Sequence, residues 1–426
     1  MKIVHLSQTD SGAGAGRAAY RIHRGLADNG VDSLLIVGAR HKAEEDRVET
    51  AGEGWFGRHH ARLMAYMEGR LSRRVRRGGG GYFSPAAFGA FEPARDPRVQ
   101  SADVVCIYWV NGGFIRPEGL RGISMPIVWR LSDVWPFTGG CHYPGQCARF
   151  ETHCGDCPQL ARPSKNDCSR RLWLRKQQAW RDLDMTIAAP SRWIANLAER
   201  SSLFRKRRTV VIPTGVDLVL FRPMDRAAAR SRLGLPQDRP IILFGALDPA
   251  GDVRKGYGEL RAALESLACS DGDAAPLAVV FGGKRTGFAD RQPLPTVHLG
   301  HIEDDSMLAA AYAAADVAVV PSLEDNLPNV ALEAIACGTP VVGFDVCGMP
   351  EIVRHQWNGY LAKNINGEEL AAGIRWVLDD ATRLAQLRRN ARALAEEHFD
   401  LAAQVRRYCD LYTELRAEVL SRASHG

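Results

Sequence analysis

No stretch of the chain approaches the roughly 18 to 20 consecutive apolar residues that cross a bilayer, which excludes a membrane-spanning helix on sequence. The apolar run at residues 3–6 is too short for the core of a secretory signal, so a cytoplasmic protein is expected. Charge of one sign is also scarce. Lys and Arg number 55 against 49 Asp and Glu, a net charge of +6, too little to mark a dedicated nucleic-acid binder. There is no internal repeat, and the only low-complexity tract is the glycine run at 78–81. Disulfides are not expected either, because a reducing cytosol disfavours them. The ten cysteines should then be buried small hydrophobes or, where they cluster, metal ligands.

What is present describes a large folded protein. Hydrophobic residues make up 46% and charged residues 24%, ordinary globular values that exclude a mostly disordered or collagen-like chain. A length of 426 residues suits two or three domains.

The first fifty residues read as strand, glycine loop, helix and strand. The run at 3–6 leads into Ser11-Gly-Ala-Gly-Ala-Gly16; Ala18, Ala19, Ile22 and Leu26 follow at helical spacing, and 34–37 is a second apolar run. This βαβ pattern predicts a parallel sheet covered by helices. Further strands are expected at 104–108, 127–130 and 186–189. A second series begins near residue 209, with strands at 210–212, 241–244, 278–281, 297–299, 317–320 and 340–344. Helices are expected at about 257–268, 304–315, 329–337, 367–379, 381–397 and 401–421. Two such series predict an α/β chain of two doubly wound, Rossmann-like domains with a ligand cleft between them. The expected bounds are 1–205, with a Cys-rich insertion at about 139–168, then 206–400, then a C-terminal helix at 401–426 packing back on the first domain.

Two segments carry chemistry. In Gly12-x-Gly14-x-Gly16, backbone N–H groups at the start of a helix can meet a phosphate; a tight βα turn without ligand is the alternative reading. The G-x-G-x-G spacing and the second strand's ending, Gly38-Ala39-Arg40, do not fit a nicotinamide-binding fingerprint. In Pro321-Ser-Leu-Glu-Asp-Asn-Leu-Pro-Asn-Val-Ala-Leu-Glu333, a buried strand ends, a loop carries Glu324 and Asp325, and a helix starts near Asn329 with Glu333 one turn in. Acids so placed can grip hydroxyls of a sugar and a ribose while the helix N-terminus faces a diphosphate.

This arrangement resembles the E-x7-E motif of retaining family 4 glycosyltransferases, which have the GT-B fold. The resemblance extends to Ile212-Pro-Thr-Gly-Val-Asp217 with Phe221 and Pro223, to Arg254-Lys255-Gly256, to Ala315-Asp316 and to Gly338-Thr-Pro-Val-Val342. It implies a nucleoside diphosphate sugar donor held by Gly14, Gly16, Arg254, Lys255, Glu324, Asp325, Asn326, Leu327, Pro328, Asn329 and Glu333. The first acid, Asp325 or its neighbour Glu324, would contact the sugar; Glu333 would contact the ribose and Lys255 the diphosphate. Two positions depart from the family: the first acid is Asp rather than Glu, and Ala246 stands where Arg is frequent.

The stretch Trp129-Arg-Leu-Ser-Asp-Val-Trp-Pro-Phe-Thr-Gly-Gly-Cys-His-Tyr143 is similar to a signature of the polysaccharide-assembly branch of that family. Some members have His where this chain has Ser132. Asp133 would orient a donor or acceptor hydroxyl, or cap a turn. Cys141, Cys147, Cys154 and Cys157 follow, spaced C-x5-C-x6-C-x2-C. Structural zinc, free thiols and disulfides are the three readings, with His142 and His153 as substitute ligands for zinc; the family needs no metal for transfer. Residues 58–77 form a basic amphipathic segment with a stripe of Leu63, Met67, Leu71 and Val75 and a single acid, Glu68. It suits either an anionic membrane surface or a helix packed on its own domain with a solvated basic face.

The resemblance implies transfer of a sugar, with retention, to a glycan or polyprenyl-linked acceptor in exopolysaccharide, capsule or O-antigen assembly. Asp325, Glu333, Lys255 and Asp133 carry the site, catalysis requires no cofactor, structural zinc stays one reading of the cysteines, and no nucleic acid is involved. The enzyme would sit in the cytoplasm, peripherally on the inner membrane face. The alternatives are a GT-B sugar-nucleotide 2-epimerase and a non-catalytic nucleotide-sugar-binding subunit.

Overall fold

Short runs of aliphatic and β-branched residues, buried on both faces in the central strands, form two all-parallel sheets. The computed structural model describes residues 1–11, 14–41, 47–52, 54–78, 82–246, 252–271, 275–282 and 292–424. The chain divides into two units, Met1–Thr214 with Ala402–Gly426, and Gly215–Leu401.

In the first unit the strands are β1 (Lys2–Thr9), β2 (Asp32–Ala39), β3 (Val48–Thr50), β4 (Val104–Ile107), β5 (Ile127–Arg130), β6 (Met185–Ala189) and β7 (Arg208–Val211), in the order β3-β2-β1-β4-β5-β6-β7. The helices around them are α1 (Gly14–Asp28), α2 (Gly54–Val75), α3 (Pro97–Gln100), α4 (Cys168–Trp180) and α5 (Arg192–Arg200). Strands such as Val104-Val-Cys-Ile107 are wholly buried, as a sheet covered on both faces requires. Helix α1 turns Ala18, Ala19, Ile22 and Leu26 inward. The direction of winding changes between β1 and β4, which makes the C-terminal end of β1 the switch point of this sheet.

The second unit contains β8 (Ile241–Ala246), β9 (Leu277–Gly282), β10 (Thr296–Gly300), β11 (Val317–Val320), β12 (Val341–Phe344) and β13 (Gly359–Ala362), in the order β10-β9-β8-β11-β12-β13. Its helices are α6 (Arg226–Arg232), α7 (Tyr257–Asp271), α8 (Asp305–Ala314), α9 (Asn329–Ala336), α10 (Met349–Ile352), α11 (Gly367–Leu378) and α12 (Ala381–His398). Asp304 caps α8 by accepting from the Ser306 N–H, and Asn366 caps α11 through the Glu369 N–H; each satisfies a donor that the helix start leaves unpaired. A buried ion pair ties α6 to the sheet. Arg230 Nη2 lies 2.6 Å from Asp316 Oδ2, and the same oxygen accepts from the Ile241 N–H at 2.8 Å.

The last helix, α13 (Leu401–Ser424), belongs to the first unit. A Cβ on Gly25 of α1 would meet Val405 Cγ2 at 2.4 Å, and Arg416 pairs with Asp103 at 3.1 Å. Tyr408 and Tyr412 are fully buried. Among the described residues no helix is long and apolar enough to cross a membrane.

Two expectations need correction. The apolar run near 210 does not open the second sheet: β7 pairs with β6, Thr186 facing Arg208 and Ala189 facing Val211. The division between units therefore falls after Thr214 rather than near residue 205. The stripe expected along 58–77 is also divided. Leu63 and Met67 are exposed, whereas Leu71 and Val75 are half-buried, because each four-residue step on a 3.6-residue turn drifts about 40° around the axis.

Candidate nucleotide-sugar site

In the second sheet the winding reverses between β8 and β11, and ligands of open α/β sheets bind beyond the strand ends at such a point. The segments that leave these two strands converge there. After β11 the chain runs through Ser322, buried like Asn326, to Asp325, which is 8% exposed, and enters α9 after Pro328. After β8, Asp252 accepts from the Arg254 N–H and pairs with the Arg254 guanidinium at 2.7 Å. The Leu323 N–H then donates to the Arg254 carbonyl at 2.7 Å, joining the two loops through their backbones.

Gly256 permits this approach. It is left-handed, with φ of 65°, and a Cβ there would lie 1.8 Å from the Pro321 carbonyl oxygen. No other residue fits. The result is an ion pair in which Lys255 Nζ donates to Asp325 Oδ2 at 2.6 Å, the lysine half-exposed and the carboxylate largely covered. A third loop supports Asp325 from behind. The Gly348 N–H donates to the Asp325 carbonyl at 3.3 Å, and Cys347 beside it holds a left-handed φ of 53°, a strained conformation for a non-glycine residue. Burial pushes the Cys347 thiol up to about 12, so it stays protonated.

Glu333 lies on α9, 1% exposed, and its Oε2 accepts from the Tyr312 hydroxyl at 3.1 Å. Tyr312 is itself fully buried on α8, so the carboxylate is oriented by the neighbouring helix. Glu324, Leu323 and Asn329 are only partly covered, while Leu327 and Pro328 are buried. The structure thus gathers Arg254, Lys255 and Asp325 beyond the C-terminal ends of the two central strands, β8 and β11, and places Glu333 on the helix that follows. A half-exposed cation beside a largely covered carboxylate can engage a diphosphate and a sugar hydroxyl respectively.

In the first unit Gly14 is exposed at the first position of α1, and Gly16 is buried; Gly12 lies outside the described residues. A Cβ on Gly16 would come within 2.8 Å of the Thr9 carbonyl oxygen and 2.9 Å of the Ser11 one. Close packing of helix on loop requires a glycine at this position.

Asp133 is committed within its own loop. Its Oδ1 accepts from the Trp135 N–H at 2.8 Å, and its Oδ2 is 2.6 Å from His142 Nδ1. That carboxylate contact puts the hydrogen on Nδ1. His142 Nε2 then accepts from the Ser84 hydroxyl at 2.8 Å, and Trp109 Nε1, 3.3 Å from the protonated Nδ1, is a contact without a hydrogen bond. All three members, Ser84, His142 and Asp133, are buried. The expected turn cap is present. The partnership with His142 was missed, because that histidine read as a substitute metal ligand; a histidine close behind Gly139-Gly140 was the available signal for a loop folding back.

Cys141, Cys147, Cys154 and Cys157 line one small cavity of about 20 Å³ with Phe83 and Arg149. All four are free thiols. Burial pushes Cys154 up to about 12 and Cys157 up to about 11, and it raises Cys141 as well. Nearby, burial holds the Lys176 ammonium well below the ordinary lysine value; its Nζ donates to the Thr138 carbonyl at 2.9 Å and sits 3.4 Å from the centre of the Trp135 ring. Among the described residues no three His, Cys, Asp or Glu side chains are grouped so as to hold a metal ion. The thiols share a cavity but do not fit a tetrahedral zinc as placed.

Residues 290–394 match the family described as Glycosyl transferases group 1. The chain is 37% identical over 223 residues to the D-inositol 3-phosphate glycosyltransferase of Thermobispora bispora, covering 49% of this chain and 50% of that protein. It spans about half the length of the first curated relatives it matches. Among solved structures it is similar to sucrose-phosphate synthase from Thermosynechococcus elongatus, with TM-score 0.65, 19% identity and coverage of 98% of this chain and 99% of that one. It is also similar to Anabaena HepE in complex with UDP-glucose, with TM-score 0.63, 20% identity and coverage of 99% and 100%. These likenesses show the fold, two parallel-sheet, Rossmann-like domains of the GT-B type, and residues 290–394 of the second unit are similar to group 1 glycosyl transferases.

Proposed function

We propose that the protein is a glycosyltransferase that takes a sugar from a nucleoside diphosphate donor and passes it, with retention, to a glycan or lipid-linked acceptor. The observation that carries the reading is the Lys255–Asp325 pair at the switch point of the second sheet, whose Asp325 lies within the segment that matches group 1 glycosyl transferases. A diphosphate arriving at Lys255 competes with Asp325 for the ammonium. Asp325 Oδ2 is then free to accept from a sugar hydroxyl, so donor charge and sugar recognition are exchanged at one pair. Glu333, held by Tyr312, accepts from the ribose. In the transfer the bond from the anomeric carbon to the diphosphate oxygen breaks and a bond to the acceptor oxygen forms. The acceptor proton passes to the leaving phosphate, whose charge Lys255 offsets.

A second acceptor class follows from the relatives, named for D-inositol 3-phosphate: a small phosphorylated polyol. Nucleoside diphosphate release, measured over a panel of donors with each acceptor class, tests both. Release that requires acceptor supports transfer. Donor binding without release in the presence of acceptor would make the chain a binding subunit, and a changed donor sugar without acceptor would make it an epimerase.

A further inference from the structure

Helix α2 carries two faces of opposite character. Inward, the Ser72 hydroxyl donates to the Phe83 carbonyl at 2.6 Å. Glu68, 3% exposed, accepts from the backbone N–H groups of Ala86, Ala87 and Phe88 at 2.6, 3.0 and 3.2 Å. These bonds lock the helix onto the first unit. Outward, five large apolar side chains stand in solvent: Trp55 at 59% exposure, Phe56 at 81%, Leu63 at 52%, Tyr66 at 55% and Met67 at 38%. At about 100° per residue they share one arc of roughly 120°. Exposed arginines at 58, 62, 70, 73 and 74 flank and continue that arc. The only acid between residues 54 and 77 is Glu68, which is turned inward. The outward face is therefore aromatic and aliphatic at its start, cationic at its end, and without a negative charge.

We propose that this face of α2 seats the protein on an anionic bilayer surface. The apolar arc would enter the interface between headgroups and acyl chains, and the arginines would meet lipid phosphates. Charge complementarity selects the occupant, since a face with only cations has nothing to offer a neutral or basic surface. Leu63 and Met67 favour lipid over RNA, whose bases stack on aromatic rings rather than on aliphatic chains. The fixed inward bonds mean that the helix presents this face already formed. The inference is independent of the transfer reading, because none of these residues belongs to the nucleotide-sugar site.

The test is co-sedimentation of the full chain with phosphatidylcholine vesicles, with and without phosphatidylglycerol. Binding is expected only where phosphatidylglycerol is present, and it should fall with salt. Replacing Arg70, Arg73 and Arg74 together with Gln should weaken it on the order of a hundredfold. Trp55→Ser with Phe56→Ser should weaken it about tenfold or more. Both variants should keep the parent melting curve, since every substituted side chain is exposed. No pelleting, equal pelleting with phosphatidylcholine alone, or an unchanged Trp55/Phe56 variant overturns the proposal. Displacement from vesicles by single-stranded RNA, or a dimer lost on Trp55/Phe56 substitution, would assign the face to another occupant and overturn it as well.

Discussion

Lys255 Nζ and Asp325 Oδ2 meet at 2.6 Å, joining the loops that leave two adjacent strands of one sheet. Because the lysine side of the pair is half-exposed, the pair should add less than about 1 kcal/mol to stability. Lys255→Ala is expected to fold normally and to lose roughly tenfold to a hundredfold in affinity for a nucleoside diphosphate by calorimetry. Unchanged affinity would remove Lys255 from the donor site.

The two candidate first acids separate by turnover. Asp325→Asn should depress kcat more than donor affinity, because its partner is the sugar whose anomeric carbon reacts. Glu324→Gln should be mild. The reverse order of effects would make Glu324 the first acid.

Glu333→Gln keeps one acceptor and removes the charge, so donor binding should weaken about tenfold to a hundredfold. Tyr312→Phe removes only the hydroxyl that orients Glu333; it should lower stability by about 1 kcal/mol and shift donor affinity in the same direction by less. A Tyr312→Phe protein that binds donor more weakly than Glu333→Gln contradicts this order.

His142→Ala leaves Asp133 Oδ2 without its partner in a site only 7% exposed. The expected cost is about 1–3 kcal/mol, visible as a lower urea midpoint. Asp133→Ala should cost a similar amount, and the double variant little more than either, because both disrupt one network. Additive losses would show that the two act separately.

Buried thiols set an alkaline limit. Cys106 and Cys157 are pushed up to about 11 and Cys154 up to about 12 from an ordinary value of 9.0. Between these values the folded chain keeps protons that the unfolded chain has lost, so stability is full below pH 9 and falls as pH rises through the window. Each such group costs about 1.4 kcal/mol per pH unit there. Melting temperatures that stay level from pH 8 to about 11 would refute this.

Contiguous patterns were the legible ones. The strand, loop and helix around 317–336 appear where the spacing put them, because each element's burial pattern lies within a short window. Pairing between distant segments carried no such signal. The Arg208-Thr-Val-Val211 run looks like a strand of either sheet, and only its register with β6 decides. Lys255 and Asp325 were expected to serve a phosphate and a sugar separately; that they face each other depends on Gly256 closing onto Pro321. Likewise the inward turn of Glu68 follows from three backbone donors at 86–88, which no count of charges along the helix reveals.

The return of α13 to the first unit has a consequence for biogenesis. Tyr408 and Tyr412 complete a core that begins with strands from the N-terminal half, yet the ribosome makes them after the whole of the second unit. At roughly 5–20 residues per second, the first unit waits on the order of ten seconds or more for the helix that completes its core. The second unit is continuous in sequence and can fold during the wait. The N-terminal unit, although synthesised first, is therefore the last to close, and its incomplete surface is the one a chaperone would meet.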